Sequence, residues 1–152
     1  MSVHDRLRDL GLTIPDAPTP VANYVGAVTV GNLVFVSGHG PRRADGSLVR
    51  GRLGEDLTVE EGYEAARLTM LQCLASLQRE VGDLGRVRRI VKLFGMVRCT
   101  PTFGQQPQVI NGASDLLVAI WGEEGRHARA AVGMQDLPAG MAVEIEMVVE
   151  IA

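Results

Sequence analysis

The sequence predicts an α+β fold: one mixed β-sheet with two long helices on a single face, in the order β-β-α-β-α-β-β. Three observations predict it. The stretch "YVGAVTVGNLVFVSG" holds two apolar runs split by Gly31-Asn32, a hairpin signal. Two later segments repeat their apolar residues every three or four positions, the helical period, and "RIVKLFGMVR" between them has the apolar majority of a strand. The closing "GRHARAAVGMQDLPAGMAVEIEMVVEIA" reads as two more strands. Alternation of this kind builds a sheet with helices laid across it.

Taken in order, Ser2, Val3, Leu7 and Leu10 suggest a short N-terminal helix capped by Ser2 and ended by Gly11. Pro15, Pro18 and Pro20 then impose an extended arm. The run Leu33 to Val36 lacks polar alternation, so both faces of that strand are expected to be buried. "GPRRADGSLVRGRLG" is a glycine-rich connection with a turn at Asp45-Gly46. Thr58 and Glu61 form a capping box for a long helix in which Ala66, Met70, Leu74, Leu77 and Val81 share a face, and Gly82 stops it. A second helix runs from about Pro107 to Trp121, with Val109, Ile110, Ala113, Leu117, Ile120 and Trp121 along its apolar side. Gly122 and Gly125 break it. The last strands run from Arg126 to Met134 and from Met141 to Ala152. Residues 1–152 are read as a single domain, with a short helix and extended arm over 1–20.

Composition narrows the function classes. The chain of 152 residues is long enough to bury its own core, and 46% hydrophobic with 22% charged residues is ordinary for a globular protein. Its opening "MSVHDRLRDLG" lacks an apolar stretch and does not read as a secretory signal, so a cytoplasmic location is the expectation. A formal net charge of −3 offers no general attraction to nucleic acid, and the pairs Arg42-Arg43, Arg50/Arg52 and Arg88-Arg89 read as solvated charge. Cys73 and Cys99 read as buried or idle free thiols. His4, His39 and His127 lie far apart with no metal-ligand spacing, so no metal is expected.

Two helices can cover only one face of the sheet, yet some strands are apolar on both. In the last strand Val143, Ile145, Met147, Val149 and Ile151 point one way, while Glu144, Glu146, Val148 and Glu150 point the other. The first set is read as core. The second face is expected to meet another copy of the chain, and a pocket between subunits is a usual place for a small molecule. On "HARAAVGM", Ala130, Val132 and Met134 are read as core-facing, with His127, Arg129, Ala131 and Gly133 on the other face. Arg129 would then have open space beside Ala131 and Gly133, where its planar fork could take a carboxylate. From spacing alone, an inter-subunit ion pair of Arg129 with Glu144 or Glu146 is an equal alternative, and Glu144 could equally be a rim charge.

"ARAAVGMQDLPAGMAVEIE" resembles the C-terminal signature of the RidA/YjgF family, imine and enamine deaminases formerly called endoribonuclease L-PSP. The resemblance extends through "NYVGAVTVGNLVFVSGHGP" and "FGQQPQVINGASDLL", covering roughly 18–152, and "NGASDLL", "GRHARAAVG" and the added N-terminal helix look like the longer YjgF-like subgroup. It implies a chorismate-mutase-like fold, a homotrimer with sites between subunits, and hydrolysis of a small carboxylate-bearing imine or enamine to a 2-oxo acid and ammonia without a cofactor. Carried over by position, it makes Arg129 the carboxylate clamp and Glu144 the residue that orients or activates water. Tyr24, Ser37, Gly38 and Asn111 are implied to bind substrate, and Ala131 stands where the family often has cysteine, contributing backbone groups only. His39 stands where the shorter members commonly have Gln. Two other classes compete. A non-catalytic small-molecule-binding trimer would keep Arg129 as an anion anchor. The endoribonuclease or translation inhibitor of the older name is opposed by the charge of −3, the 4% aromatic content and the lack of paired histidines.

Overall fold

A computed structural model describes residues 1–152. The elements are α1 (Val3–Asp9), β1 (Ala27–Val30), β2 (Leu33–His39), α2 (Val59–Val81), β3 (Val87–Arg98), α3 (Gln106–Trp121), β4 (Ala128–Met134) and β5 (Val143–Ile151). The strands form one five-stranded sheet in the order β1-β2-β5-β3-β4, with β3 and β4 parallel and every other pair antiparallel. This is the α+β arrangement expected from the sequence. No helix is long and apolar enough to cross a membrane.

Local chemistry places the boundaries. Ser2 and Asp5 cap α1 reciprocally, and Thr58 and Glu61 do the same for α2, so each box satisfies two N-terminal amides. Gly31, at φ +63°, opens the two-residue turn that sets Val30 opposite Leu33. The first helix is stopped where expected, by Gly11 at φ +68° just past the Leu10 cap; Leu7 is its one buried side chain, and Leu10 is exposed.

Both long helices lie on one face. Val34, Val36, Ile90, Leu93, Ile145, Met147 and Val149 reach up from the sheet into a core with Met70, Leu74 and Leu77 of α2 and Ile110 and Leu117 of α3. Cys73 and Cys99 are buried and free. The helices touch where Gly112 of α3 faces the backbone carbonyl of Tyr63, and a Cβ at 112 would overlap that oxygen. Backbone cannot step aside as a side chain can. Gly112→Ala is therefore expected to lower stability by roughly 2–3 kcal/mol through overpacking, read as a lower urea midpoint. An unchanged midpoint would contradict so tight a crossing.

The face away from the helices has no cover within the chain. Val28, Val30 and Phe35 are exposed on it, so the expectation that β2 is buried on both faces does not hold for a single chain. The facing of β4 also differs from the sequence reading. Arg129, Ala131 and Gly133 lie on the helix side, and Ala130, Val132 and Met134 lie on the open face. Paired residues of neighbouring strands share a face. Arg129 pairs with the buried Leu93, and Ala131 pairs with Gly95, whose own Cβ position is filled by Ile110 of α3. The helix comes so close at Gly95 and Ala131 that only small side chains fit beneath it there, while Arg129 runs along the helix instead. The bulkier Val132 and Met134 are displaced to the other face.

Candidate active site

The candidate residues gather in two groups. The first sits where β2 loses its regular register. A bulge falls between Val36 and His39, in the pairing of β2 with β5, and Gly38 lies within it against Glu144. A Cβ on Gly38 would overlap the Glu144 carboxylate, so glycine is what lets the acid lie beside the bulge. Glu144 is half-buried on the open face of β5, opposite Met96 of β3. Burial raises its pKa above the usual carboxylate value, and the neighbouring Glu146 pushes in the same direction.

Ser37 donates its hydroxyl proton to the Val25 carbonyl at 2.6 Å, and its amide donates to the Gly26 carbonyl at 2.9 Å. Toward a ligand, the Ser37 oxygen can therefore only accept. Tyr24 is half exposed and lines, with Gly38, His39, Arg42, Gln72 and Met141, a pocket of about 260 Å³ at this end of the sheet. His39 itself turns to the helix side. Its Nδ1 donates to the Ser37 carbonyl at 2.5 Å, which leaves Nε2 to accept from Ser76 Oγ at 2.7 Å. Burial lowers its pKa, against the opposing pull of the Ser37 carbonyl. The ring props the bulge as a neutral group.

The second group is at the far edge. Arg129 of β4 runs along α3 rather than into open space, and its Nη1 donates to Asn111 Oδ1 at 2.9 Å and to Ser114 Oγ at 3.1 Å. Ala131 follows on the same face and packs against the core. Within one chain Arg129 has no acidic partner. Glu144 lies on the opposite face, with β3 between its strand and β4, two strand spacings or about 10 Å across the sheet. Structure thus unites Arg129 with Asn111, and Glu144 with Gly38 next to Ser37; Tyr24 shares with Gly38 a pocket that Glu144 does not line, and the Arg129 and Glu144 groups stay apart. Two neighbours escape sequence reasoning, Ser114 and Gln72, while His127 is placed beside Arg129 by the strand alternation but given no role. For Ser114 a signal was present, since it lies three residues after Asn111 on α3 and so shares its face. No cluster of three or more His, Cys, Asp or Glu side chains is placed to hold a metal.

An open-faced sheet roofed by two helices, with an arginine at one edge and a half-buried glutamate on the bare face, defines a class of small α+β proteins. The chain belongs to the YjgF family: residues 4–149 match the family described as "YjgF/chorismate mutase-like, putative endoribonuclease". Protein TCP17 of Trypanosoma cruzi is 47% identical over 146 residues, spanning 95% of this chain and 91% of its own. The structure named "a putative endoribonuclease" from Shewanella oneidensis is 34% identical, with a TM-score of 0.95 over 99% of this chain and 100% of that one. RidA from the Antarctic bacterium Psychrobacter is 28% identical, with a TM-score of 0.63 over 90% of this chain and 94% of its own.

Proposed function

We propose that the protein hydrolyses small 2-imino acids, and their enamine tautomers, to 2-oxo acids and ammonia, at sites formed between three copies of the chain. The observation that carries this reading is the state of Arg129. Both Nη1 protons are taken by Asn111 and Ser114, while the Nε and Nη2 donors have no partner in the chain. These two N–H groups are parallel and match a carboxylate. The likeness to RidA supports the same reaction class.

With its carboxylate on that edge, the substrate presents a C=N carbon to water. Glu144 of a neighbouring copy accepts a proton from the water as its oxygen bonds to that carbon. Glu144 gives that proton to the nitrogen of the resulting carbinolamine and then accepts the carbinolamine's hydroxyl proton, so that the C=O forms as the C–N bond breaks and ammonia leaves. Ser37 accepts a hydrogen bond in the same half-site, Tyr24 reaches the substrate from the neighbouring pocket it shares with Gly38, and the Gly38 and Ala131 backbone groups steady developing charge. The C=N carbon is electrophilic already, so this route needs neither metal nor organic cofactor. Positioning supplies most of the acceleration.

A homotrimer accords with the bare face, where Val28, Val30, Phe35 and Val132 await cover, and with half-sites that one chain cannot join. A cytoplasmic setting suits two free thiols. The test is 2-iminobutanoate generated in situ, with 2-oxobutanoate release followed with and without protein, alongside light scattering. Faster release and a mass three times the 16.3 kDa chain are expected. Binding of 2-oxobutanoate without faster release would favour a non-catalytic binding protein, and a stable monomer would remove the shared site.

A further inference from the structure

The polar chain that holds Arg129 continues past Ser114, and its protons can be counted. His127 precedes β4 by one residue. Its Nδ1 lies 2.7 Å from the Gly125 carbonyl, which can only accept, so Nδ1 carries the proton. In the neutral ring Nε2 must then accept, and the group 2.9 Å away is Ser114 Oγ. The hydroxyl proton of Ser114 is committed to His127, which leaves its lone pairs for Arg129 Nη1 at 3.1 Å. The other Nη1 proton goes to Asn111 Oδ1 at 2.9 Å. Burial lowers the His127 pKa, the Gly125 carbonyl raises it, and the Arg129 charge lowers it, in that order of size, which favours the neutral ring.

We propose that His127, acting through Ser114, is a positioning residue for Arg129: it fixes the direction of the Ser114 hydroxyl and thereby selects which edge of the guanidinium meets the substrate carboxylate. A guanidinium offers two forks, one from Nη1 and Nη2 and one from Nε and Nη2. With Nη1 occupied twice, only the second is free. Without an acceptor at position 127, the Ser114 hydroxyl can turn its proton toward Asn111 Oδ1, competing with Nη1 for that oxygen. The guanidinium is then free to rotate and to share itself between two poses, each binding the carboxylate for part of the time. Neither residue touches the substrate, so their removal weakens binding and leaves the chemical step alone.

This inference rests on Arg129 being the carboxylate clamp, so its test needs one readout that depends on that role and one that does not. In the intact oligomer, the NMR order parameter of the Arg129 Nε–Hε bond reports positioning, and KM and kcat for 2-iminobutanoate report its use. His127→Phe and Ser114→Ala are each expected to lower the order parameter and to raise KM roughly three- to tenfold, the size of one lost hydrogen bond, with kcat within about twofold. The double variant should be no worse than Ser114→Ala alone, because His127 acts through that hydroxyl. His127→Gln, whose amide oxygen can accept the same proton, should recover most of the loss. An unchanged order parameter in Ser114→Ala, or effects of the two substitutions that multiply, would overturn the relay. Ser114→Ala decides the matter even if His127→Phe folds poorly. Full turnover in Arg129→Ala would instead overturn the clamp reading, and the order parameters would still decide whether His127 positions the guanidinium.

Discussion

Arg129→Ala is expected to lower kcat/KM for 2-iminobutanoate by about a hundredfold or more, and Arg129→Lys by roughly ten- to a hundredfold. Alanine removes both parallel donors. Lysine restores the charge but not the fork, and losing one charge-assisted bond costs about 1.5–3 kcal/mol. That range sets the factor for lysine through the exponential dependence of rate on barrier. The location of Arg129 adds a structural consequence. Its loss leaves Asn111 Oδ1 and Ser114 Oγ without their cation beneath α3, so a modest fall in stability, about 1 kcal/mol, should accompany the loss of activity. A melting curve and a light-scattering mass are needed beside the kinetics. If Arg129→Ala forms the native oligomer and keeps full turnover, the arginine merely ties the sheet edge to α3, and the proposed clamp is wrong.

Glu144→Gln is expected to reduce kcat by about a hundredfold or more while changing KM little, since an amide of the same shape cannot accept the water's proton. Burial and Glu146 raise the Glu144 pKa, so the acid limb of the activity profile should lie above the ordinary carboxylate value of 4.5. Glu146→Gln removes a like charge and should move that limb toward lower pH. The same shift makes a statement about stability. The folded chain holds the Glu144 proton more tightly than the unfolded one, so its contribution is fully present below the unfolded-state pKa and is lost as pH rises through the raised folded-state value. At neutral pH, then, Glu144→Gln should be at least as stable as the parent while far less active. A variant both active and destabilised would reassign Glu144 to a structural role.

Facing of the strands illustrates which inferences periodicity can carry. On β5 the alternation was legible because large apolar residues occupy one face and three glutamates the other, and Glu144 stands where that reading put it. On β4 the same reasoning inverted the strand. Bulk ordinarily marks the core, but α3 lies so near this edge that Ala131 and Gly133 occupy the inner face, and Val132 and Met134 the outer one. Small residues under a close helix and large residues on a bare face look, in one dimension, like the reverse arrangement. The bare face also explains the apolar character of Leu33 to Val36, since Val34 and Val36 enter the core while Phe35 is left exposed.

Sequence by itself determined the elements and their order, because caps, turns and apolar periods act over a few residues and are written locally. The Ser2 and Thr58 caps, the Gly31-Asn32 turn and the stop at Gly82 all lie where those signals placed them. Tertiary structure alone decided which strand became the edge, that α3 would run close above it, and that Arg129 would be held by Asn111 and Ser114 rather than stand in open space. It also decided that Arg129 and Glu144 lie on opposite faces, so that one chain cannot bring them together. Those outcomes depend on which strands pair and how closely a helix packs on them, and both are settled by residues distant in sequence that meet only once the sheet has formed.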